Sequence, residues 1–156
     1  MTAPPPPATP PAPERPLTPL LRPALALLAG LGITVLIVGG GVLITTLAAL
    51  RGQSPATFAP PSWYYATNMV ITVLGPAAGG FAVSRITRGR SLFTVSVLAL
   101  ILLVSGIAPI LRGTPAAPGQ PHWYPLALAL LGPIGVMAGG IGERRNAAPR
   151  SPGGAA

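Results

Sequence analysis

The sequence contains no cysteine, no lysine and no aspartate. Without cysteine there is no disulfide, no thiolate metal site and no cysteine nucleophile. Carboxylates are nearly missing as well: Glu14 and Glu143 are the only two among 156 residues, and neither has an acidic partner nearby in the chain. Paired-carboxylate acid–base chemistry is therefore unsupported. The single histidine, His122, has no second ligand beside it, and no Gly-x-Ser-x-Gly elbow occurs. The expectation is a chain that is not an enzyme and carries no metal or cofactor. Charge as a whole is scarce. Only 8% of residues are charged, against roughly 25% in soluble domains, which is too little for a surface wetted on every side.

Arginine and apolar residues are what the chain has. Half of the residues are hydrophobic, and all ten bases are arginines, giving a formal charge of +8. The arginines form no single patch. They stand alone or in short groups at the ends of apolar runs, where the positive-inside rule places them, so the expectation is no nucleic-acid partner. Four uncharged apolar runs are each long enough to cross a hydrocarbon core of about 30 Å. They cover residues 24–50, 63–84, 91–111 and 123–142. The predicted domain is thus a four-helix transmembrane unit over 20–145. A proline-rich, disordered tail over 1–19 precedes it, and a short Pro/Gly/Ala tail over 146–156 follows.

The second run supplies the pattern for the rest. Trp63 and Tyr64 open it as interfacial anchors, Gly75 and Gly79 lie one turn apart on one face, and Arg85, Arg88 and Arg90 close it. Sixty residues later Trp123, Tyr124, Gly135, Gly139, Arg145 and Arg150 repeat the order. Aligned at that offset, Pro55–Ser91 and Pro115–Ser151 agree at twelve positions. The first and third runs show no comparable identity. The fold class that follows is an all-α membrane protein whose four transmembrane helices form two tandem hairpins related by duplication. With the N-terminus inside, Arg15, Arg22, Arg85, Arg88, Arg90, Arg144, Arg145 and Arg150 lie inside, and only Arg51 and Arg112 lie outside. Both termini are then expected to be cytoplasmic, in a bacterial-type inner membrane.

Several residues within the runs need a reason. Asn68 lies about one turn inside the membrane from Tyr64, where an amide is expected to bond across to another helix. It is the candidate polar membrane site, with Thr34, Thr67 and Thr72 as companions in any polar cavity. Gly75-Pro76 and Gly132-Pro133 interrupt helical hydrogen bonding. Gly75, Gly79, Gly135 and Gly139 are the expected helix-packing residues, with the two glycine faces meeting each other at the bundle centre. No run contains aspartate, glutamate, lysine, arginine or histidine, which weighs against proton-coupled export.

The segment Gly80 to Arg88 resembles the loop between the second and third helices of major facilitator transporters at Gly80, Arg85 and Arg88. It departs from that pattern at Ser84 and Thr87 and reads as the general glycine-then-arginine ending of a membrane helix. The expected role is non-catalytic: interaction, assembly or scaffolding in the bilayer, with a second copy or another membrane protein as partner. The alternative is a subunit of an oligomeric transporter or channel.

Overall fold

The computed structural model describes residues 21–54, 60–88, 92–114 and 119–147. The tail expected over 1–19, Arg90 and the C-terminal tail beyond 147 lie outside the described residues. Four α-helices account for nearly all of the rest: α1 (Leu21–Leu50), α2 (Ser62–Ile86), α3 (Leu92–Leu111) and α4 (Tyr124–Ala147). All four are long and apolar enough to cross a membrane.

Local chemistry explains where the helices start and stop. α1 begins at Leu21 and carries Pro23 in its first turn, where a missing amide costs nothing. It ends where Arg51 and Gly52 take successive positive φ values of 43° and 84°, a reversal that glycine accepts without penalty. α4 runs past the expected end at Gly142. Glu143, Arg144 and Arg145 all favour helix, and no breaker intervenes before Ala147. α2 and α4 continue through Pro76 and Pro133.

The order across the bundle is α1, α2, α4, α3. α2 and α4 form the central pair, α1 lies against α2, and α3 lies against α4. The close approaches give the directions. Gly30 meets Val83 while Gly41 meets Ile71, so α1 and α2 are antiparallel. Gly106 meets Ala129 while Gly140 meets Val95, so α3 and α4 are antiparallel too. Gly135 sits at Val73 and Gly139 at Ala77, so α2 and α4 run the same way. Arg22, Arg85, Arg88, Arg144 and Arg145 consequently share one end of the bundle, and Arg51 and Arg112 share the other.

The two ends are packed differently. Ala26, Val83, Val95, Leu98, Ala99 and Val136 form the buried core, and it lies in the arginine half. There α1 touches α3 through Gly30 and Leu98. In the half that carries the Trp-Tyr pairs the same two helices leave a cleft between them.

Candidate functional site

The cleft has a volume of about 720 Å³ and is lined by all four helices. α1 supplies Thr34, Val35, Val38, Gly39, Val42 and Thr46. α3 supplies Leu102, Gly106, Pro109 and Ile110. Its floor is α2 and α4, between Tyr64 and Pro76 and between Tyr124 and Gly132. Val35 and Ile110 on its rim are 61% and 39% exposed, so the opening faces the side of the bundle. That volume falls within the roughly 300–1,000 Å³ of small-molecule pockets. Thr34, Asn68 and Thr72 line the cleft, whereas Thr67 does not, and the walls are mostly aliphatic.

Asn68 is 3% exposed and joins three helices. Its Oδ1 accepts a hydrogen bond from Thr45 Oγ1 of α1 at 2.9 Å. Its side chain also hydrogen-bonds the Tyr124 phenol of α4. Beside it, Thr46 Oγ1 donates to the Val42 carbonyl at 2.7 Å. That commits the threonine proton, so the 3.0 Å bond between Thr46 and Tyr64 is donated by the tyrosine. Thr45 and Thr46 were not singled out by sequence reasoning. The signal was available: two adjacent hydroxyls in an otherwise aliphatic run.

The aromatic residues form one continuous row. Trp63, Tyr64, Tyr65, Tyr124 and Trp123 contact edge to face in that order, and the pair that bridges α2 and α4, Tyr65 with Tyr124, has centroids 4.9 Å apart. Edge-to-face contact is the favoured geometry for such rings. The four expected anchors divide here. Trp63 and Trp123 are exposed and Tyr64 is half-buried, whereas Tyr124 is only 4% exposed. Tyr124 is turned inward by its bond to Asn68 and is not wetted at the interface. Trp123 precedes α4, in the turn that also holds His122.

The glycines are placed as follows. A Cβ on Gly135 would stand 2.5 Å from the Val73 carbonyl oxygen, and one on Gly139 would run into the Ala77 carbonyl oxygen. Both therefore receive the backbone of α2. Gly75 and Gly79 face the other way. A Cβ on Gly75 would lie 2.6 Å from Val38, and one on Gly79 would lie 2.6 Å from the Gly30 carbonyl oxygen, both on α1. The expectation that the two glycine faces meet each other is thus corrected. α2 is central and has two close neighbours, so Gly75 and Gly79 serve α1, and Gly80, a third of a turn round, serves α4 at Val136.

Among the topology-setting arginines, Arg85, Arg88, Arg144 and Arg145 are exposed. Arg85 lies 6.0 Å from the centroid of the Phe81 ring, at the edge of cation–π range. No family model, curated protein or solved structure matches this chain.

Proposed function

We propose that this chain is a non-catalytic protein of a bacterial-type inner membrane that works by assembling with another membrane component through α1. One observation carries the reading. Most glycines within the helices are spent on internal contacts, but Gly32, Gly39 and Gly40 of α1 and Gly142 of α4 meet nothing within 4 Å. Of these, Gly32 and Gly39 are seven residues apart and share the face turned away from α2. Glycine within a helix costs up to about 1 kcal/mol relative to alanine. Two unspent glycines on one face suit the close approach of a helix from outside the chain.

The test is to replace both. Gly32→Leu/Gly39→Leu should abolish self-association, or co-purification of a membrane partner, with stability changed by no more than about 0.5 kcal/mol. Light scattering on the purified protein and a thermal melt are the two readouts. Unchanged association would sink the proposal, and so would a large fall in stability.

The proposed topology has both termini in the cytoplasm and two tandem hairpins derived by duplication. The arginine distribution supports the first. The parallel pairing of Val73 with Gly135 and Ala77 with Gly139, close to the sixty-residue offset, supports the second. The chain has no native cysteine, so single cysteines report cleanly. Thr57→Cys and Ala117→Cys should react with an impermeant maleimide added to intact cells. Arg88→Cys should react only after lysis, and the reverse pattern would overturn the orientation.

A second reading, a subunit of an oligomeric transporter or channel, draws its support from the cleft. Pro76 and Pro133 remove amides from the two helices that floor it, and unpaired backbone is tolerated at membrane depth where it lines a cavity.

A further inference from the structure

The cleft between α1 and α3 has a chemistry as well as a volume. Among the described residues, no arginine, glutamate or histidine lines it. An anionic head would find no cation there, and a cationic head no carboxylate. The polar groups that do line it are neutral and of both kinds: the Asn68 and Gln120 amides bring donors, and the hydroxyls of α1 bring acceptors. Thr34 Oγ1 donates to the Gly30 carbonyl at 2.8 Å and Thr46 Oγ1 to the Val42 carbonyl at 2.7 Å. Their protons are committed within α1, and their oxygens keep lone pairs.

Two backbone acceptors add to these. Proline has no amide, so Pro76 deprives the Thr72 carbonyl of its helical donor, and Pro133 does the same to Ala129. Thr72 and Ala129 both line the cleft. A carbonyl that lacks its i+4 amide keeps room to accept a further hydrogen bond, which a ligand hydroxyl can supply. Around these acceptors the walls are Val35, Val38, Val42, Leu102 and Leu128, which suit a hydrocarbon chain.

We infer that the cleft binds an uncharged lipid bearing hydroxyl donors, such as a monoacylglycerol or a long-chain alcohol. It enters from the bilayer between α1 and α3, in the leaflet on the Trp-Tyr side. Its hydroxyls bond the acceptors at Thr72 and Ala129 and the hydroxyl oxygens of α1, and its chain lies along the valines of α1 and the leucines of α3 and α4. Gly39 stands on the rim of the cleft as well as on the α1 face proposed for assembly, whereas Gly32 lies outside the cleft, so Gly32→Leu alone tests assembly without touching this site.

The experiment uses the full chain in phosphatidylcholine nanodiscs and two photoreactive probes with the same diazirine-bearing acyl chain. One is a monoacylglycerol and the other a lysophosphatidic acid. The monoacylglycerol should label Val38, Leu102 and Leu128, and the phosphate-headed probe should label them at least about tenfold less. Val35→Trp, which fills the cleft from its exposed rim, should cut that labelling by about tenfold and leave the melting temperature unchanged. Pro133→Ala, which restores the amide opposite Ala129, should weaken labelling without filling the space. Equal labelling by the two probes overturns the assignment. So does labelling that spreads evenly over Leu36 and Leu43 and ignores Val35→Trp, which is the behaviour of bulk lipid.

Discussion

Gly139→Ala should destabilise this protein more than almost any other single methyl addition. The added Cβ would run into the Ala77 carbonyl oxygen, with the Ala77 carbonyl carbon only 2.7 Å away. The obstacle is helix backbone. No side chain can rotate away, so α2 and α4 must separate along the central contact of the bundle. Overpacking of this kind costs about 1–3 kcal/mol, and the rigid obstacle puts the expected loss at the upper end. Gly80→Ala, which meets the Val136 backbone, should behave alike. Gly132→Ala is the control. Its nearest neighbour would be Leu102 at 3.9 Å, an ordinary contact, and alanine favours helix over glycine by about 1 kcal/mol. Thermal melts in one detergent should therefore place Gly132→Ala at or above the parent and Gly139→Ala far below it. Similar melting temperatures for the two would show that α2 and α4 are not packed this closely. Gly79→Ala strains the α1 contact instead, so its combination with Gly139→Ala should be close to additive. Strong non-additivity would return the two glycines to one shared contact.

Asn68→Ala should be the costliest polar substitution. It removes the interhelical acceptor of Thr45, whose hydroxyl also reaches the Gly41 and Val42 carbonyls at 3.0 Å, and the partner of the Tyr124 phenol in one step, and the residue is 3% exposed. Interhelical hydrogen bonds in membranes average about 0.6 kcal/mol each. Two such bonds, with the Tyr124 phenol left buried, bring the expected loss to about 2 kcal/mol. Tyr124→Phe removes only one of the bonds and should cost about half as much. The measurement is the melting temperature of each variant, with the double variant Asn68→Ala/Tyr124→Phe as the coupling test. If Asn68→Ala costs no more than Tyr124→Phe, the amide is not the junction of three helices.

Much of the architecture was readable from the chain because membrane spans announce themselves by what they exclude. Uninterrupted stretches between Arg22 and Arg51, or Arg90 and Arg112, leave few alternatives to a crossing helix. Partner choice was harder. α1 and α3 are aliphatic on all sides, so no stripe of residues says which neighbour each takes. Gly79 and Gly80 are adjacent in sequence yet point to different helices, and sequence order cannot apportion them. Asn68 stood out because an amide is rare at such a depth. The cleft was legible only in part: Asn68, Thr34 and Thr72 were expected around any polar cavity and do line it, but its place depends on α1 and α3 touching at Gly30 and Leu98 and leaving space beyond. Thr46 and the prolines that deprive the Thr72 and Ala129 carbonyls of their helical donors were traces seen only in retrospect.

The order α1, α2, α4, α3 bears on how the chain enters the bilayer as it is made. The outer helices α1 and α3 are clearly more apolar than the inner α2 and α4. Each strongly apolar segment precedes, in the chain, the weaker one that packs against it. A ribosome delivering this protein therefore presents a self-sufficient span first and then one that gains from a helix already in the lipid. The glycines that lower the lipid affinity of α2 and α4 are the same residues that admit the waiting neighbour. Exchanging α1 and α2 in the gene would remove that sequence of help, and the weakly apolar span would face the translocon alone.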